Sequence, residues 1–135
     1  MHSELKVLLV GATANRSTLL SKWLERRGCD NHFATSCREA CRLIQCQLFD
    51  LVLSPFELPD RSAFPLFERL SGSSTTLFFS AILENGCLWI PTLMHGKRWQ
   101  NARALRPGEF AIALGTAVEQ ARRYRDATSM TAIAS

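Results

Sequence analysis

Short, continuous apolar runs alternate with stretches of helical periodicity, and this alternation constrains the fold more than any other feature of the chain. Residues 6–10, 51–53 and 77–79 are apolar at nearly every position instead of at every second one. A strand has this composition when both of its faces are buried, as in a parallel sheet covered by helices on both sides. The pattern therefore predicts an α/β fold with strands at 6–11, 50–54 and 76–81.

Amphipathic stretches lie between these runs. In the first, Leu20, Trp23 and Leu24 share one helical face, and Gly28 follows where a left-handed residue ends helices. Helices are predicted at 15–27, 36–48, 62–70 and 108–124, and a short second strand at 32–35.

The start of the second helix has the clearest local signal. Ser36 and Glu39 have the S-x-x-E spacing in which a hydroxyl and a carboxylate satisfy the first free amides of a helix. The third helix can accommodate Pro65, because a missing amide hydrogen costs little in the first turn.

The alternation stops after the fourth strand. Residues 84–105 contain Gly86, Pro91 and Gly96 and have no 3.6-residue stripe, so a full helix is not expected there. We expect an edge strand at 88–94, where proline is tolerated, and a short fifth strand at 102–106.

Length and composition indicate one domain. The chain has 135 residues, of which 47% are hydrophobic, enough for a single core. We assign residues 1–126 to this domain and expect 127–135, which have no periodicity, to form a flexible tail.

Charge and cysteine content narrow the cellular context. The formal net charge is +4, from 16 basic and 12 acidic residues, a modest excess that permits nucleic-acid binding without indicating it. No apolar run approaches the roughly 20 residues of a membrane span, and we expect no targeting signal. Five cysteines without C-x-x-C spacing argue against a disulfide framework or a zinc ribbon, so we expect a cytoplasmic protein.

Five segments together resemble the active-site segments of response-regulator receiver domains, in order and spacing. They are Lys6–Val10, Phe49–Leu53, Leu58–Asp60, Phe78–Ala81 and Leu105–Pro107. The resemblance covers about residues 4–125 and implies a flavodoxin-like, doubly wound parallel sheet of five strands in the order 2-1-3-4-5. The fourth helix of that fold is expected to be lost or replaced by extended or irregular structure.

The residues that carry out phosphorylation in this family are absent from the matching positions. The resemblance implies that an acidic pair binds Mg²⁺, an aspartate accepts the phosphoryl group, and a hydroxyl and a lysine contact the phosphate. Here the acidic pair falls on Gly11 and Ala12, the aspartate on Pro55 and the lysine on Arg106, whereas Ser80 is compatible with the family. We therefore expect a degenerate, or pseudo-receiver, domain of two-component signalling with no catalytic residues.

Nearby residues do not replace the missing acceptor. Ser54 would project to the other side of its strand, and a neutral hydroxyl is a poor substitute for a carboxylate. We interpret Glu57 and Asp60 as solvated turn residues. The turn from Gly11 to Ala14 could cradle a pyrophosphate, but only one glycine of the dinucleotide-binding fingerprint is present.

Metal and cofactor sites are not expected. Cys37 and Cys41 could share a metal with His32 or Cys46, but free cysteines commonly fill cores, and we favour that interpretation. His95 has no identifiable catalytic partner and is interpreted as a solvated loop residue.

The segment without a helix combines aromatic and cationic residues of the kind enriched at protein interfaces. The candidate interaction surface consists of Trp89, Met94, Lys97, Arg98, Trp99, Arg103 and Phe110. Covering a bare sheet edge is an equally good explanation of its tryptophans.

The sequence thus predicts a non-enzymatic signalling module that acts through a protein partner, independently of phosphorylation. Self-association through Trp89, Trp99 and the final helix is a further possibility. One alternative is a small-molecule or nucleotide-binding protein that uses the strand-end cleft near Gly11, Thr13, Pro55 and Ser80. A second alternative is a weakly basic nucleic-acid-binding regulator.

Overall fold

The computed structural model describes residues 4–11, 19–55, 58–70, 76–84, 87–95, 98–100, 103–105 and 107–134. In chain order, the elements are β1 (Leu5–Val10), α1 (Leu19–Arg26), β2 (Cys29–Ala34), α2 (Cys37–Cys46), β3 (Leu51–Pro55), α3 (Phe64–Leu70), β4 (Leu77–Glu84), β5 (Cys87–His95), β6 (Arg98–Gln100), β7 (Arg103–Leu105) and α4 (Pro107–Ala134).

One half of the sheet is parallel. Its strands lie in the order β2-β1-β3-β4, and the three neighbouring pairs are all parallel. The helices α1, α2 and α3 lie in the connections between these strands, as parallel pairing requires. The predicted α/β class is confirmed.

Beyond β4 the sheet becomes antiparallel, in contrast to the predicted five-stranded parallel sheet. β5 runs antiparallel to β4, and β6 and β7 both pair antiparallel with β5. The predicted fifth strand at 102–106 corresponds to β7, which pairs with β5 and not with β4. Only residues 85 and 86 separate β4 from β5, whereas a parallel neighbour requires a crossover of a dozen or more residues.

The predicted edge strand is interior. β5 has β4 on one side and β6 and β7 on the other. Its proline is accommodated by a bulge: between the pairs Ser80↔Thr92 and Ile82↔Trp89, β5 has one residue more than β4. Pro91 lies in this bulge, where a backbone donor is dispensable.

The core has two parts, one on each face of the sheet, so β1 and β3 are buried on both faces as their composition predicted. The part beneath α1 and α4 consists of Leu5, Val7, Leu9, Leu24, Cys29, Leu51, Leu53, Leu114, Ala117, Val118 and Ala121. The part beneath α2 and α3 consists of Leu8, Val10, Ala34, Cys37, Ala40, Phe49, Val52, Leu58, Ala63, Leu66 and Leu70.

Helix α2 begins where the capping signal predicts. The Ser36 hydroxyl accepts a hydrogen bond from the Glu39 amide at 3.1 Å. The Glu39 carboxylate in turn accepts from the amide and the hydroxyl of Thr35, at 3.1 and 2.9 Å. It thus reaches one residue further back than in the standard capping box.

Helices α1 and α4 differ in how well their ends were predicted. Gly28 follows the end of α1 with φ +74°, the left-handed conformation expected there. The first four residues of the predicted helix, 15–18, lie outside the described residues. Helix α4 does not end near Tyr124 but continues to Ala134, through the segment that was predicted to be a tail. The helix can continue because it contains neither proline nor glycine after Gly115. Arg122, Arg123 and Arg125 therefore lie within the helix instead of at its carboxyl end.

Within the part of the chain that the structure describes, no helix combines the length and the apolar character needed to span a membrane.

Candidate functional site

The backbone brings three of the five positions aligned with the receiver active site to the carboxyl edge of the parallel strands. Gly11 directly follows β1, and Pro55 is the last residue of β3. Ser80 lies in β4, one residue before the partner of Pro55 in the sheet register. Ala12 and Arg106 lie outside the described residues.

This edge has little capacity for phosphoryl chemistry at its described positions. Gly11 is buried, with φ +89°, and has no side chain that could bind a cation. Pro55 has no nucleophilic group. Ser80 is directly paired with Ser54, whose side chain is buried.

Asp60 follows β3 in the chain and, instead of being merely solvated, holds the start of α2. Its carboxylate accepts hydrogen bonds from the amides of Cys37, at 2.9 Å, and Arg38, at 3.1 Å. The bond from the Cys37 amide is the main reason that the pKa of Asp60 is lowered, with a further contribution from the amide of Arg38. Asp60 is thus engaged with a helix N-terminus. Glu57 lies outside the described residues.

Cys37 and Cys41 pack as the sequence interpretation favoured, whereas Cys46, the last residue of α2, is exposed. Cys37 is buried in the core, and Cys41 packs against it with an Sγ–Sγ distance of 4.0 Å. Burial is the main reason that the pKa of Cys37 is raised to about 11, with the neighbouring Cys41 thiol contributing next. His32 lies 3.1 Å from Asp30, and among the described residues no group of three metal-binding side chains is close enough to hold an ion.

A row of apolar positions crosses the sheet from its parallel to its antiparallel half. The register links Leu8 to Val52, Val52 to Phe78, Phe78 to Met94, and Met94 to Trp99. Directly paired residues lie on the same face of a sheet. Because Leu8 and Val52 lie in the core beneath α2 and α3, the whole row is on that face.

A second row places Trp89 on the same face. Ile82 is paired with Trp89, and Trp89 with Ala104. Ile82 is four residues after Phe78 in β4, and alternate residues of a strand share a face. Trp89 and Met94 are five residues apart and would be on opposite faces of a regular strand, so the bulge in β5 is what brings them together.

Helices α2 and α3 lie on this side of the sheet. α2 packs against β1 and β2, and α3 packs against α2. α4 packs against β5 and β7, and its core residues belong to the opposite face. The two-row apolar face is defined as the six positions that the register places on the side of α2 and α3 in the later strands: Phe78, Ile82, Trp89, Met94, Trp99 and Ala104.

The rest of the predicted interaction surface is not in these rows. Arg98 is paired with His95, at the end of β5 and not in a loop, and Arg103 is paired with Ile90. Phe110 lies in the first turns of α4, and Lys97 is outside the described residues.

The sequence interpretation missed a groove between α2 and α3, with a volume of about 380 Å³. It is lined by Cys37, Arg38, Cys41, Arg42, Gln45, Arg61, Pro65 and Arg69. Part of the signal was present in the sequence, because Arg38 and Arg42 are four apart in α2 and lie on one side of that helix. The pairing of the two helices could not be read from that spacing.

Comparison with known proteins found no match: no family model, no curated protein and no solved structure is significantly similar to this chain.

Proposed function

We propose that this protein is a receiver-like signalling module that works by binding another protein, without phosphoryl transfer. The observation that carries the proposal is the two-row apolar face, whose positions the register places on the side of the sheet that carries the core beneath α2 and α3. Apolar sheet faces in α/β domains are normally covered by helices. We infer that a partner, and not a helix of this chain, covers this face.

The topology supports a receiver-like origin for this face. The order β2-β1-β3-β4 matches the first four strands of the flavodoxin-like order 2-1-3-4-5. We infer that the antiparallel strands β5 to β7 stand where that fold has a fourth helix and a fifth parallel strand. Losing that helix leaves a position in the helical layer unfilled, and we propose that an apolar helix of the partner occupies it.

The composition of the strand ends supports independence from phosphorylation. Gly11 and Pro55 replace a metal ligand and an acceptor, and Asp60 is engaged by two backbone amides. We place the protein in the cytoplasm as part of this proposal, because the thiols of Cys29, Cys37, Cys41 and Cys46 are free.

A phosphate mimic tests the first half of the proposal. Mg²⁺ with beryllofluoride should leave the amide NMR signals of Gly11, Ser54 and Ser80 unchanged, because none of the described strand-end positions, Gly11, Pro55 and Ser80, has a carboxylate that could hold either ion. Shifts above the spectral resolution that cluster at these three residues would overturn phosphorylation independence.

Site-specific photo-crosslinking tests the second half. A benzophenone amino acid at position 99 should capture a protein in cells, and the same group at Leu48, which is 76% exposed outside the two-row apolar face, should not. The captured protein is then purified, and its binding is measured with the Trp99→Ala and Leu48→Ala variants. We expect Trp99→Ala to weaken binding by about tenfold or more and Leu48→Ala to have little effect.

Two results would contradict the interaction proposal. One is the same set of adducts from positions 48 and 99. The other is a captured protein whose binding is unchanged by Trp99→Ala. If the captured protein is a second copy of this chain, sedimentation velocity should show a dimer that Trp99→Ala dissociates.

A further inference from the structure

The groove between α2 and α3 concentrates positive charge on both of its walls. Arg38 and Arg42 extend from one wall, and Arg61 and Arg69 from the other. None of the eight lining residues is acidic. All four arginines are exposed, so their guanidinium groups are accessible to a solute.

The carboxylates that neighbour these arginines in the chain already have partners. Asp60 accepts from the amides at the start of α2 and also forms an ion pair with the groove residue Arg61, 3.9 Å from its Nε. Glu39 accepts from Thr35. Like charges one helical turn apart, such as Arg38 and Arg42, repel each other, and an anion between them relieves that repulsion.

One wall is partly preorganised. With its amide oxygen facing α3, Gln45 accepts hydrogen bonds from the guanidinium of Arg69, including one of 3.1 Å from Nη2. This contact ties Arg69 across the groove to α2 and reduces the side-chain freedom that a ligand would have to restrict.

The remaining lining is weakly polar or apolar. Cys37 is buried, Cys41 is half-buried, and Pro65 is half-buried at the start of α3. These side chains form the floor of the groove, which an uncharged part of a ligand could contact.

We propose that this groove binds a small molecule through a diphosphate or triphosphate group. Guanidinium groups bind phosphate oxygens through paired hydrogen bonds, and arginines on both walls can engage neighbouring phosphates at once. The volume of about 380 Å³ is within the range of small-molecule sites. The site is independent of the proposed function, because it uses neither the strand ends nor the two-row apolar face.

Isothermal titration calorimetry of the full chain with pyrophosphate tests this site. The Arg42→Gln and Arg69→Gln variants should each weaken binding by about tenfold or more, because each removes hydrogen bonds to a charged group. Arg42→Lys should give an intermediate loss, since lysine keeps the charge without the paired donors. Arg123→Gln is the matched control, because Arg123 is also exposed but lines a different groove, on α4.

The choice of ligands separates the sources of the phosphate. Tighter binding of ATP than of pyrophosphate would support a nucleotide ligand whose uncharged part contacts the floor of the groove. Equal binding of the two would support free polyphosphate as the ligand. The proposal is overturned if sulfate at matched ionic strength binds as well as pyrophosphate, or if Arg123→Gln has the same effect as Arg42→Gln. It is also overturned if a short DNA duplex is the one ligand that binds.

Discussion

The carboxylate of Asp60 accepts a hydrogen bond of 2.9 Å from the backbone amide of Cys37, which is 23 residues earlier in the chain. A second bond, of 3.1 Å, comes from the amide of Arg38. The segment after β3 is thereby joined to the first turn of α2. Negative charge at a helix N-terminus is stabilising, so this connection holds both α2 and the segment before α3 in place.

Replacing Asp60 with asparagine should destabilise the fold at neutral pH. Asparagine has one acceptor oxygen and no charge, so one amide loses its partner and the attraction to the helix dipole disappears. We expect the melting temperature to fall by roughly 2–5 °C at pH 7, as for other helix N-terminal acceptors. Differential scanning calorimetry measures this directly.

The destabilisation should depend on pH. The folded-state pKa of Asp60 lies below its ordinary value of 3.8, so the charged form is favoured by folding and contributes stability above that value. The contribution is lost as the pH falls through the folded-state pKa. The melting temperatures of the wild type and Asp60→Asn should therefore begin to converge near pH 3.8 and become equal below the folded-state pKa. Glu25→Gln, an exposed change in α1, is the control, and a difference of constant size from pH 7 to pH 2.5 would contradict this account.

Two glycines should respond to alanine in opposite ways. Gly28 has φ +74°, and an added Cβ would lie 3.4 Å from the Arg122 guanidinium, which donates to the Arg27 carbonyl. Gly28→Ala should cost about 1–2 kcal/mol of unfolding free energy, because a left-handed backbone is strained for alanine. Urea denaturation gives the value.

Gly115 provides the matched comparison. It lies within α4, and its added Cβ would meet the Trp23 ring at 4.0 Å, an ordinary contact. Gly115→Ala should stabilise by about 0.5–1 kcal/mol, because alanine loses less backbone entropy in a helix. The same sign of change at both positions would show that the backbone conformations differ from those described.

The sequence predicts the parallel half of this fold well because the signals there are local. Because β1 and β3 are buried on both faces, nearly all of their residues are apolar, and the hydroxyl of Ser36 marks the start of α2 within one turn. The direction of β5 has no such signal, because an apolar strand has the same composition whether it is parallel or antiparallel. The two-residue connection from β4 makes β5 antiparallel to it, but the length of this connection can be recognised only when the ends of both strands are known.

The candidate sites depend on contacts between residues that are still further apart in the sequence. The expectation that Gly11 and Pro55 replace a metal ligand and a phosphoryl acceptor comes from the resemblance alone and stays a prediction. The hydrogen bonds of Asp60 could not be predicted from the sequence, because its partners precede it by more than 20 residues. The placement of Trp89 and Met94 on the same face of the sheet could not be predicted either, because a one-residue bulge reverses the face on which every later residue of the strand lies.

A buried hydroxyl joins the beginnings of β3 and β4. Thr76 is buried, and its Oγ1 donates to the Phe49 carbonyl at 2.6 Å. Thr76→Val keeps the shape but leaves the carbonyl without this donor, so we expect a loss of about 1–2 kcal/mol in chemical denaturation. Thr116→Val is the control, because Thr116 donates to the Ile112 carbonyl from an exposed position on α4. Equal losses from the two substitutions would mean that burial does not determine the effect.

The thiols of α2 should differ sharply in reactivity. Cys37 is 1% exposed and its pKa is raised to about 11, first by burial and then by the neighbouring Cys41, whereas Cys46 is exposed at the end of the helix. Thiolate is the reactive form, so at pH 8 Cys37 has about a thousandth of its molecules ionised. Iodoacetamide should therefore label Cys46 at least about 100-fold faster than Cys37 in the folded protein, as measured by mass spectrometry of digested samples.

The pH dependence separates ionisation from simple inaccessibility. Below its folded-state pKa the thiolate fraction of Cys37 rises tenfold per pH unit, so its labelling rate should do the same between pH 8 and pH 9.5. In urea the folded environment is lost, and Cys37 and Cys46 should then react at similar rates. Labelling of Cys37 that is as fast as that of Cys46 in the folded state would contradict its burial in the core, and with it the packing of α2 against β1.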